Sequence, residues 1–208
     1  MTDNAAMNRS LALIPYLVLV ALVAAGTLWY LGDLRAHNGT SSVSTGQSVT
    51  LGGPFALTDQ NQMPRTEKDF LGKYTLVFFG YTYCPDVCPA TLAVMAAALD
   101  KMGSRSERIV PIFITVDPKR DTPEKIKSYL SSFGTRFVGL TGDVKDIANV
   151  AKEYRVYYKE HPPENGSEYT VDHSGVVYLM DPNGAFVANY SLDNSPDMLA
   201  ADLEKRLR

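Results

Sequence analysis

The sequence predicts an α/β protein with a mixed β-sheet, and three observations lead to this fold class. Two apolar runs rich in β-branched and aromatic residues, 74–81 and 109–116, are typical of strands buried on both faces of a sheet. Each run is followed by a segment with helical periodicity. A hairpin and a terminal helix then close the chain. Alternating strands and helices favour parallel pairs at the sheet centre, and the hairpin adds antiparallel strands.

The first predicted element is a transmembrane helix at residues 11–32, preceded by a short cytoplasmic tail of residues 1–10. The stretch 11–32 has no charged residue, and a helix of this length crosses about 30 Å of hydrocarbon at about 1.5 Å per residue. Trp29 and Tyr30 lie at its far end, where aromatic rings prefer the headgroup region. A cleaved signal peptide is the alternative, because the small residues at 21–25 could form a cleavage site.

Residues 33–52 are predicted to form a flexible tether, because they are rich in Ser, Thr and Gly and show no apolar periodicity. Residues 53–208 then form the folded domain. We favour a cytoplasmic N-terminus, since a long C-terminal domain is exported largely regardless of its own charge. No Arg-rich transit peptide precedes the span. We therefore expect a single-pass protein of a bacterial inner membrane with its C-terminal domain in the periplasm.

The remaining elements follow in order along the folded domain. Helices are expected over 86–102, from the Thr122 cap and Pro123 onward, and over 144–154. The turn sequence DPNG at 181–184 separates two strands, 176–180 and 185–190, which we expect to form a hairpin. Ser195 followed by Pro196 is typical of a helix start, and the terminal helix should end at Leu207.

Composition and charge exclude several classes of protein. The 208 residues carry 20 Lys and Arg against 23 Asp and Glu, so the formal charge is −3 and no basic surface for nucleic acid is expected. With 45% hydrophobic residues the chain can bury a core. Two cysteines are too few for a disulfide-rich scaffold or a four-thiolate zinc module.

Both cysteines lie in the segment CPDVCP at 84–89, after a predicted buried strand and at the start of a helix. The partial positive charge of a helix N-terminus lowers the pKa of a thiol below its usual value of about 8.5. Residues four apart share one helical face, so Cys84 and Cys88 can bind one atom or each other. A structural disulfide and a redox pair remain alternatives, although thioredoxin-type pairs usually have two intervening residues and this pair has three.

A metal site needs a further ligand, and the chain has three histidines. His37 lies in the predicted tether and His161 in a segment of turn residues, so both are more typical of solvated surface. His173 lies where a loop enters a predicted strand, from which its ring could reach the sheet edge that carries the cysteines. Two thiolates and one imidazole are fewer ligands than a closed zinc site takes, and soft thiolates select copper.

Three stretches carry a resemblance to a known family. FFGYTYCPDVCP at 78–89, VDPKRDTP at 116–123, and DHS with YLMDPNG between 172 and 184 closely resemble the Sco/SenC family of membrane-anchored copper proteins. The motifs occur in the family's order, and the resemblance covers roughly Gly53 to the C-terminus. It implies a thioredoxin-like fold with helices flanking the sheet. It further implies that Cys84, Cys88 and His173 bind one copper ion, as Cu(I), Cu(II) or both.

The function implied by the resemblance is delivery of copper to the CuA site of cytochrome c oxidase. Its partners would be the CuA-bearing oxidase subunit and another periplasmic copper chaperone or a thiol reductant. The alternative is a thiol-disulfide reductase in which Cys84 and Cys88 keep the cysteines of that subunit reduced. A peroxidase, with a sulfenate resolved by the neighbouring thiol, is a third interpretation. His173 separates the first two functions, because metal binding needs a third ligand and disulfide exchange does not.

Side chains close to the predicted site have weaker assignments. Asp117, Lys119 and Arg120 follow a strand expected to be parallel to the strand before Cys84, so both loops should open at one sheet edge. These residues could tune the site, dock a partner or be plain solvated loop. Tyr81 and Tyr83 could shield the site or serve ordinary packing.

Overall fold

A computed structural model of the chain describes residues 22, 26, 27, 50–163, 168–191 and 195–207. The chain divides into two units, Met1–Val49 and Thr50–Arg208. The predicted cytoplasmic tail, the transmembrane helix at 11–32 apart from its three described residues, and the tether up to residue 49 lie outside the described residues. Within the described ranges, no helix is long and apolar enough to cross a membrane.

The second unit contains nine strands and four α-helices among its described residues. The strands are β1 (Ala56–Asp59), β2 (Pro64–Thr66), β3 (Tyr74–Gly80), β4 (Ile109–Thr115), β5 (Val138–Thr141), β6 (Tyr158–His161), β7 (Thr170–His173), β8 (Val177–Met180) and β9 (Phe186–Tyr190). The helices are α1 (Val87–Lys101), α2 (Pro123–Leu130), α3 (Val144–Glu153) and α4 (Pro196–Arg206). Short 3-10 helices occupy Glu67–Phe70, Gly103–Arg108 and Ser131–Phe133.

Seven strands form one sheet in the order β2-β1-β5-β4-β3-β8-β9, which confirms the predicted mixed sheet. Its centre is parallel, with β3 beside β4 and β4 beside β5. The β8–β9 hairpin continues the sheet with antiparallel pairing, as predicted. Because β3 and β4 run in the same direction, the loops that follow them open at one edge. These are the loops with the cysteines and with Asp117–Arg120.

Helix boundaries follow the chemistry of their first residues. The Thr122 hydroxyl accepts a hydrogen bond from the Lys125 amide, and Pro123 occupies the first turn of α2, as predicted. The Ser195 hydroxyl likewise accepts a hydrogen bond from the Met198 amide at the start of α4. Asp86 occupies the N-cap of α1, but its side chain makes no capping hydrogen bond. The α1 N-terminus therefore leaves amide hydrogens directed at the cysteine loop.

The core lies between the central strands and the helices. Its largest fully buried side chains include Phe78, Phe79 and Phe113 from the strands and Leu92 and Met95 from α1. The predicted helix over 86–102 is confirmed, and its Leu92, Met95 and Leu99 side chains are buried at helical spacing. This rigid core fixes the carboxyl edge of β3 and β4, where the site lies.

The β6–β7 hairpin is the main departure from the predicted elements. His173 was expected where a loop enters a strand, but it ends β7, and His161 ends β6 rather than lying in a loop. These two strands pair only with each other among the described strands and do not join the seven-stranded sheet. Their sequences, YKEH and TVDH, are short and largely polar, so they lack the apolar pattern from which strands are predicted.

Candidate metal centre

Cys84 and Cys88 are positioned by the turn between β3 and α1. The Cys84 amide donates to the Tyr81 carbonyl, 3.2 Å away, in a tight turn directly after β3. Cys88 is the second residue of α1 and is fully buried, whereas Cys84 is half-buried. Both thiols are free in the structure. The predicted position of both sulfurs at the start of a helix is therefore confirmed.

Gly80, at the end of β3, permits this arrangement. A β-carbon at this position would lie 2.6 Å from the Cys88 sulfur and 3.0 Å from the Phe113 ring. Atoms that are not bonded do not approach so closely, so any larger residue would displace the sulfur or the ring. A glycine here lets the strand and the buried sulfur pack against each other.

His173 brings a third donor to the cysteines from the end of β7. Its Nε2 atom lies 3.2 Å from the Cys88 sulfur. The ligand atoms of Cys84, Cys88 and His173 all lie within 4.8 Å of one another. Among the residues that the structure describes, Cys84, Cys88 and His173 are spaced closely enough to hold a metal ion together.

Aromatic rings fix the orientation of His173. Tyr81 packs edge-on against the imidazole at 5.8 Å between ring centroids, and Phe78 lies 5.9 Å away at a steep angle. The Nδ1 atom faces the Ser174 carbonyl at 3.3 Å, so a proton on Nδ1 would leave Nε2 free to bind a metal. Tyr81 is buried against the site, which fits either shielding or ordinary packing, whereas Tyr83 is exposed.

The two thiols differ in their acidity. The pKa of Cys84 is lowered to about 3, chiefly because the Cys88 thiol donates a hydrogen bond to its sulfur, with further help from His173 and backbone amides of α1. The pKa of Cys88 is raised, because it supplies that hydrogen bond and is buried beside the Cys84 charge. The pair therefore loses one proton readily, from Cys84. The second proton stays on Cys88 and has to leave when that sulfur binds a metal or forms a disulfide.

The other sequence candidates lie outside the three-residue group. His161 pairs with Asp172, with 2.7 Å between Nε2 and the carboxylate, and is exposed on the hairpin. His37 lies outside the described residues. Lys119 forms an exposed ion pair with Glu160 on β6. His161 and Lys119 therefore pair with acidic residues and not with the cysteines.

Asp117 and Arg120 are more buried than a solvated loop would require. Asp117 is fully buried and pairs with Arg120, whose side chain is 13% exposed. The Tyr169 hydroxyl donates to Asp117 over 2.7 Å, a contact that the sequence analysis did not predict. The signal for Tyr169 was an aromatic residue directly before a polar strand and four positions before His173. A further residue without a predicted role is Asp121, which accepts hydrogen bonds from Thr82 and Thr115 and joins the two loops of the site.

The chain is similar to known proteins in both sequence and fold. The family model described as SCO1/SenC matches residues 43–208. The chain is 43% identical over 161 residues to "Protein SCO1 homolog 1, mitochondrial" of Arabidopsis thaliana, covering 77% of this chain and 48% of the relative. It is 36% identical over 184 residues to the "SCO2-like protein RC0895" of Rickettsia conorii, covering 86% of this chain and 90% of the relative.

Solved structures show the same fold. "Structure of Bradyrhizobium japonicum ScoI with copper bound" is 50% identical, with a TM-score of 0.70 over 74% of this chain and 98% of that chain. "Crystal Structure of Yeast Sco1 with Copper Bound" is 39% identical, with a TM-score of 0.70 over 76% of this chain and 88% of that chain. The thioredoxin-like mixed α/β fold predicted for the domain is therefore confirmed. The chain spans about half the length of the Arabidopsis relative.

Proposed function

Because the chain belongs to the SCO1/SenC family and its fold brings two thiols and an imidazole together, we propose that it is a copper metallochaperone. In this proposal Cys84, Cys88 and His173 hold one copper ion, as Cu(I), Cu(II) or both. The observation that carries it is the mutual distance of at most 4.8 Å between the three ligand atoms. The relatives of known structure with copper bound support copper as the cargo.

The chemistry of the donors fits this cargo. Thiolates are soft ligands that favour Cu(I), and a set of two cysteines and a histidine also occurs at sites that bind Cu(II). Cys84 already carries a negative charge near neutral pH, so only the Cys88 proton has to leave when the ion enters. The aromatic rings of Phe78 and Tyr81 hold the imidazole and exclude water from one side.

Release of the copper ion requires that a recipient can reach one side of the site. Cys88 is fully buried, whereas Cys84 and His173 are half-buried. An incoming thiolate or imidazole of a recipient can therefore approach past Cys84 and His173 and replace the ligands one at a time. We propose that the recipient is the CuA-bearing subunit of cytochrome c oxidase, and that another periplasmic copper chaperone supplies the ion. Family membership supports this role.

A thiol-disulfide reductase is the second candidate, and the lowered pKa of Cys84 is the observation that favours it. The Cys84 thiolate would attack a disulfide of the target, forming a mixed disulfide and releasing one target thiolate. The Cys88 sulfur, after losing its proton, would then attack Cys84 and release the second. The target gains two electrons, and this chain ends with a Cys84–Cys88 disulfide that a periplasmic thiol reductant must reduce.

A copper titration tests the metallochaperone. We expect an anaerobic Cu(I) competition against a chelator to show one copper ion per wild-type chain. Affinity should fall at least about 100-fold for His173→Ala, because loss of a ligand costs more than loss of a partner that orients one, and it should be lost for Cys84→Ser with Cys88→Ser. His161→Ala is the matched control, because this histidine lies on the same hairpin and faces Asp172 rather than the cysteines. A His173→Ala variant that keeps full affinity for both copper oxidation states would contradict the proposal.

The same variants separate the two functions. A reductase needs both cysteines and no imidazole, so His173→Ala should still reduce an oxidised CuA-type target if reduction is the function. A metallochaperone should transfer copper to the reduced target, and His173→Ala should fail to do so. Stoichiometric copper transfer by the wild type, with loss in His173→Ala, would favour the metallochaperone over the reductase.

We also propose a location for the protein. Residues 11–32 would span a bacterial inner membrane once, residues 1–10 would stay in the cytoplasm, and 33–52 would tether the domain of 53–208 in the periplasm. The uncharged stretch at 11–32 supports this arrangement. A tether of some twenty residues rich in Ser, Thr and Gly spans roughly 25 Å on average, so the domain would work close to the membrane surface.

A further inference from the structure

The hairpin that carries His173 is held in place by side chains rather than by the main sheet. Among the described strands, β6 and β7 pair with each other and with no strand of the seven-stranded sheet. The cysteines, in contrast, are fixed directly to β3 and α1. The position of His173 relative to the sulfurs therefore depends on whatever fastens the hairpin to the loops of the site.

Arg120 makes several of these fastening contacts. Its Nη1 atom donates to the Tyr169 carbonyl at 2.9 Å, and its guanidinium lies 3.6 Å from the centre of the Tyr169 ring. Its Nε atom donates to Asp117, whose other carboxylate oxygen accepts the Tyr169 hydroxyl at 2.7 Å. Asp117, Arg120 and Tyr169, hereafter the Arg120 cluster, thus form a closed ring of contacts between the loop after β4 and the start of β7.

The Arg120 cluster continues through β7 to the imidazole. Tyr169 immediately precedes β7, and His173 is its last residue. Between them, the Val171 amide donates to the Tyr81 hydroxyl at 3.4 Å, and the Tyr81 ring packs edge-on against His173. The Arg120 guanidinium also lies 5.7 Å from the centre of the Tyr81 ring. Both ends of β7 are therefore fixed, one by Arg120 and the other by Tyr81.

A second ionic contact to the hairpin serves as a comparison. Lys119, next to Arg120, pairs with Glu160 on β6, but these side chains are 54% and 45% exposed. Exposed pairs contribute little, because water and salt screen them. The Asp117–Arg120 pair is shielded from water, with Asp117 at 0% and Arg120 at 13% exposure. Loss of Arg120 would leave the buried carboxylate without its cation, so its effect should be far larger than that of Lys119.

We propose that Asp117, Arg120 and Tyr169 position His173 over Cys84 and Cys88, and thereby set how strongly the third ligand binds the metal. Arg120 is a positioning residue, since it acts through β7 and does not touch the ion. This inference rests on the proposed copper function. Its structural part, that the Arg120 cluster fastens the hairpin, can be measured without any metal.

The first test uses the purified full-length chain without copper. We expect Arg120→Gln to raise amide hydrogen exchange about 10-fold or more in β6 and β7, including at Val171, while β3 and β4 stay protected. Lys119→Gln is the matched control, because it removes the same charge from the same loop and breaks a contact to the same hairpin. Tyr169→Phe, which keeps the ring but loses the bond to Asp117, should show a smaller increase in the same strands.

The second test measures copper. Arg120→Gln should lower Cu(I) affinity up to about 10-fold, and by less than His173→Ala does, because it displaces the imidazole without removing it; Lys119→Gln should leave the affinity unchanged. In a His173→Ala background, Arg120→Gln should cause no further loss, because its effect passes through the imidazole. An equal loss in both backgrounds would overturn the proposal.

The outcomes distinguish failure of the inference from failure of the proposed function. Unchanged exchange in β6 and β7 for Arg120→Gln overturns the inference, even if the wild type binds copper through His173. Wild-type affinity that does not depend on His173 overturns the metallochaperone, while the exchange data still decide whether the Arg120 cluster holds the hairpin. If Arg120→Gln unfolds because Asp117 is left charged and buried, Asp117→Asn with Arg120→Gln removes both charges, and Tyr169→Phe supplies the same comparison.

Discussion

Cys84 and Cys88 occupy one small site but have opposite electrostatic roles. Cys84 is half-buried at a helix N-terminus and accepts a hydrogen bond from Cys88, which lowers its pKa to about 3. Cys88 is fully buried, and its pKa is raised by that hydrogen bond and by burial. The less buried sulfur is thus the charged one, and it can meet an ion or a disulfide. The buried Cys88 sulfur stays protonated.

This difference in pKa predicts how the alkylation rate of each thiol depends on pH. Above its pKa of about 3 Cys84 is a thiolate, so its alkylation by iodoacetamide without copper should change less than about twofold between pH 5 and pH 8. An ordinary thiol with a pKa of about 8.5 would instead react about tenfold faster per pH unit over that range. Mass spectrometry of the labelled peptides gives the rate for each cysteine.

Two variants control this measurement. Cys88→Ala removes the hydrogen-bond donor, so the Cys84 pKa should rise and its alkylation rate should begin to depend on pH. Cys84→Ser should leave a buried Cys88 that labels slowly at every pH. A wild-type Cys84 whose rate rises tenfold per unit up to pH 8 would show that its pKa is not lowered.

At the scale of secondary structure, the sequence predicts the longer elements of the core and misses most of the short strands. Strands β3 and β4, the β8–β9 hairpin and all four helices follow from apolar periodicity, turn residues and caps. Strands β6 and β7 are short and polar, and β1, β2 and β5 are three or four residues long. Such strands are specified by their neighbours in space, because their own residues carry too little apolar pattern.

The same division applies to the site. The cysteine pair is local, so its spacing and the helix start predicted at Asp86 indicate the position of both sulfurs. His173 was favoured from its place near a sheet edge and from the family resemblance. The contact of Arg120 with Tyr169 joins residues 49 positions apart and has no local signature. A single sequence identifies the donors, whereas the contacts that orient them require the folded chain.

The packing of α2 on β5 allows a prediction at the element scale. Gly139 in β5 faces α2, and a β-carbon there would lie 2.6 Å from Leu130 and still closer to Ile126. Both side chains are buried, so they have little room to move. We expect Gly139→Ala to lower the free energy of unfolding by about 1–3 kcal/mol in urea denaturation.

Gly142→Ala is the matched control for Gly139→Ala. Its β-carbon would meet only the end of Leu57 at 2.9 Å and Asp146 at 3.7 Å. We expect a smaller loss of stability, because one side-chain terminus can move aside more easily than a packed helix. Equal losses for the two variants would mean that the α2–β5 contact is not tightly packed.

For the whole molecule, the proposed membrane anchor gives a further prediction. We expect the chain produced in a bacterium to sediment with the inner membrane and to stay there in alkaline carbonate. Replacing residues 1–32 with a cleavable signal peptide should release the domain into the periplasm. The physical reason is the transfer of an uncharged stretch of 22 residues, from 11 to 32, into hydrocarbon.

The intact mass of the chain distinguishes a membrane anchor from a cleaved signal peptide. A mature protein that lacks about 25 N-terminal residues would indicate a cleaved signal peptide, and carbonate should then release it. An uncleaved chain that carbonate releases would mean that residues 11–32 do not span the membrane.

Cys88 and His173 are 85 positions apart in the chain, although their side chains meet in the folded domain. Bringing the ends of so long a segment together costs an unfolded polypeptide entropy that grows with the logarithm of its length. An unfolded chain therefore has two neighbouring thiols without the His173 imidazole beside them. In the proposed metal site, binding by all three residues would require β7 to be in place, so an ion held by all three would report that the domain has folded.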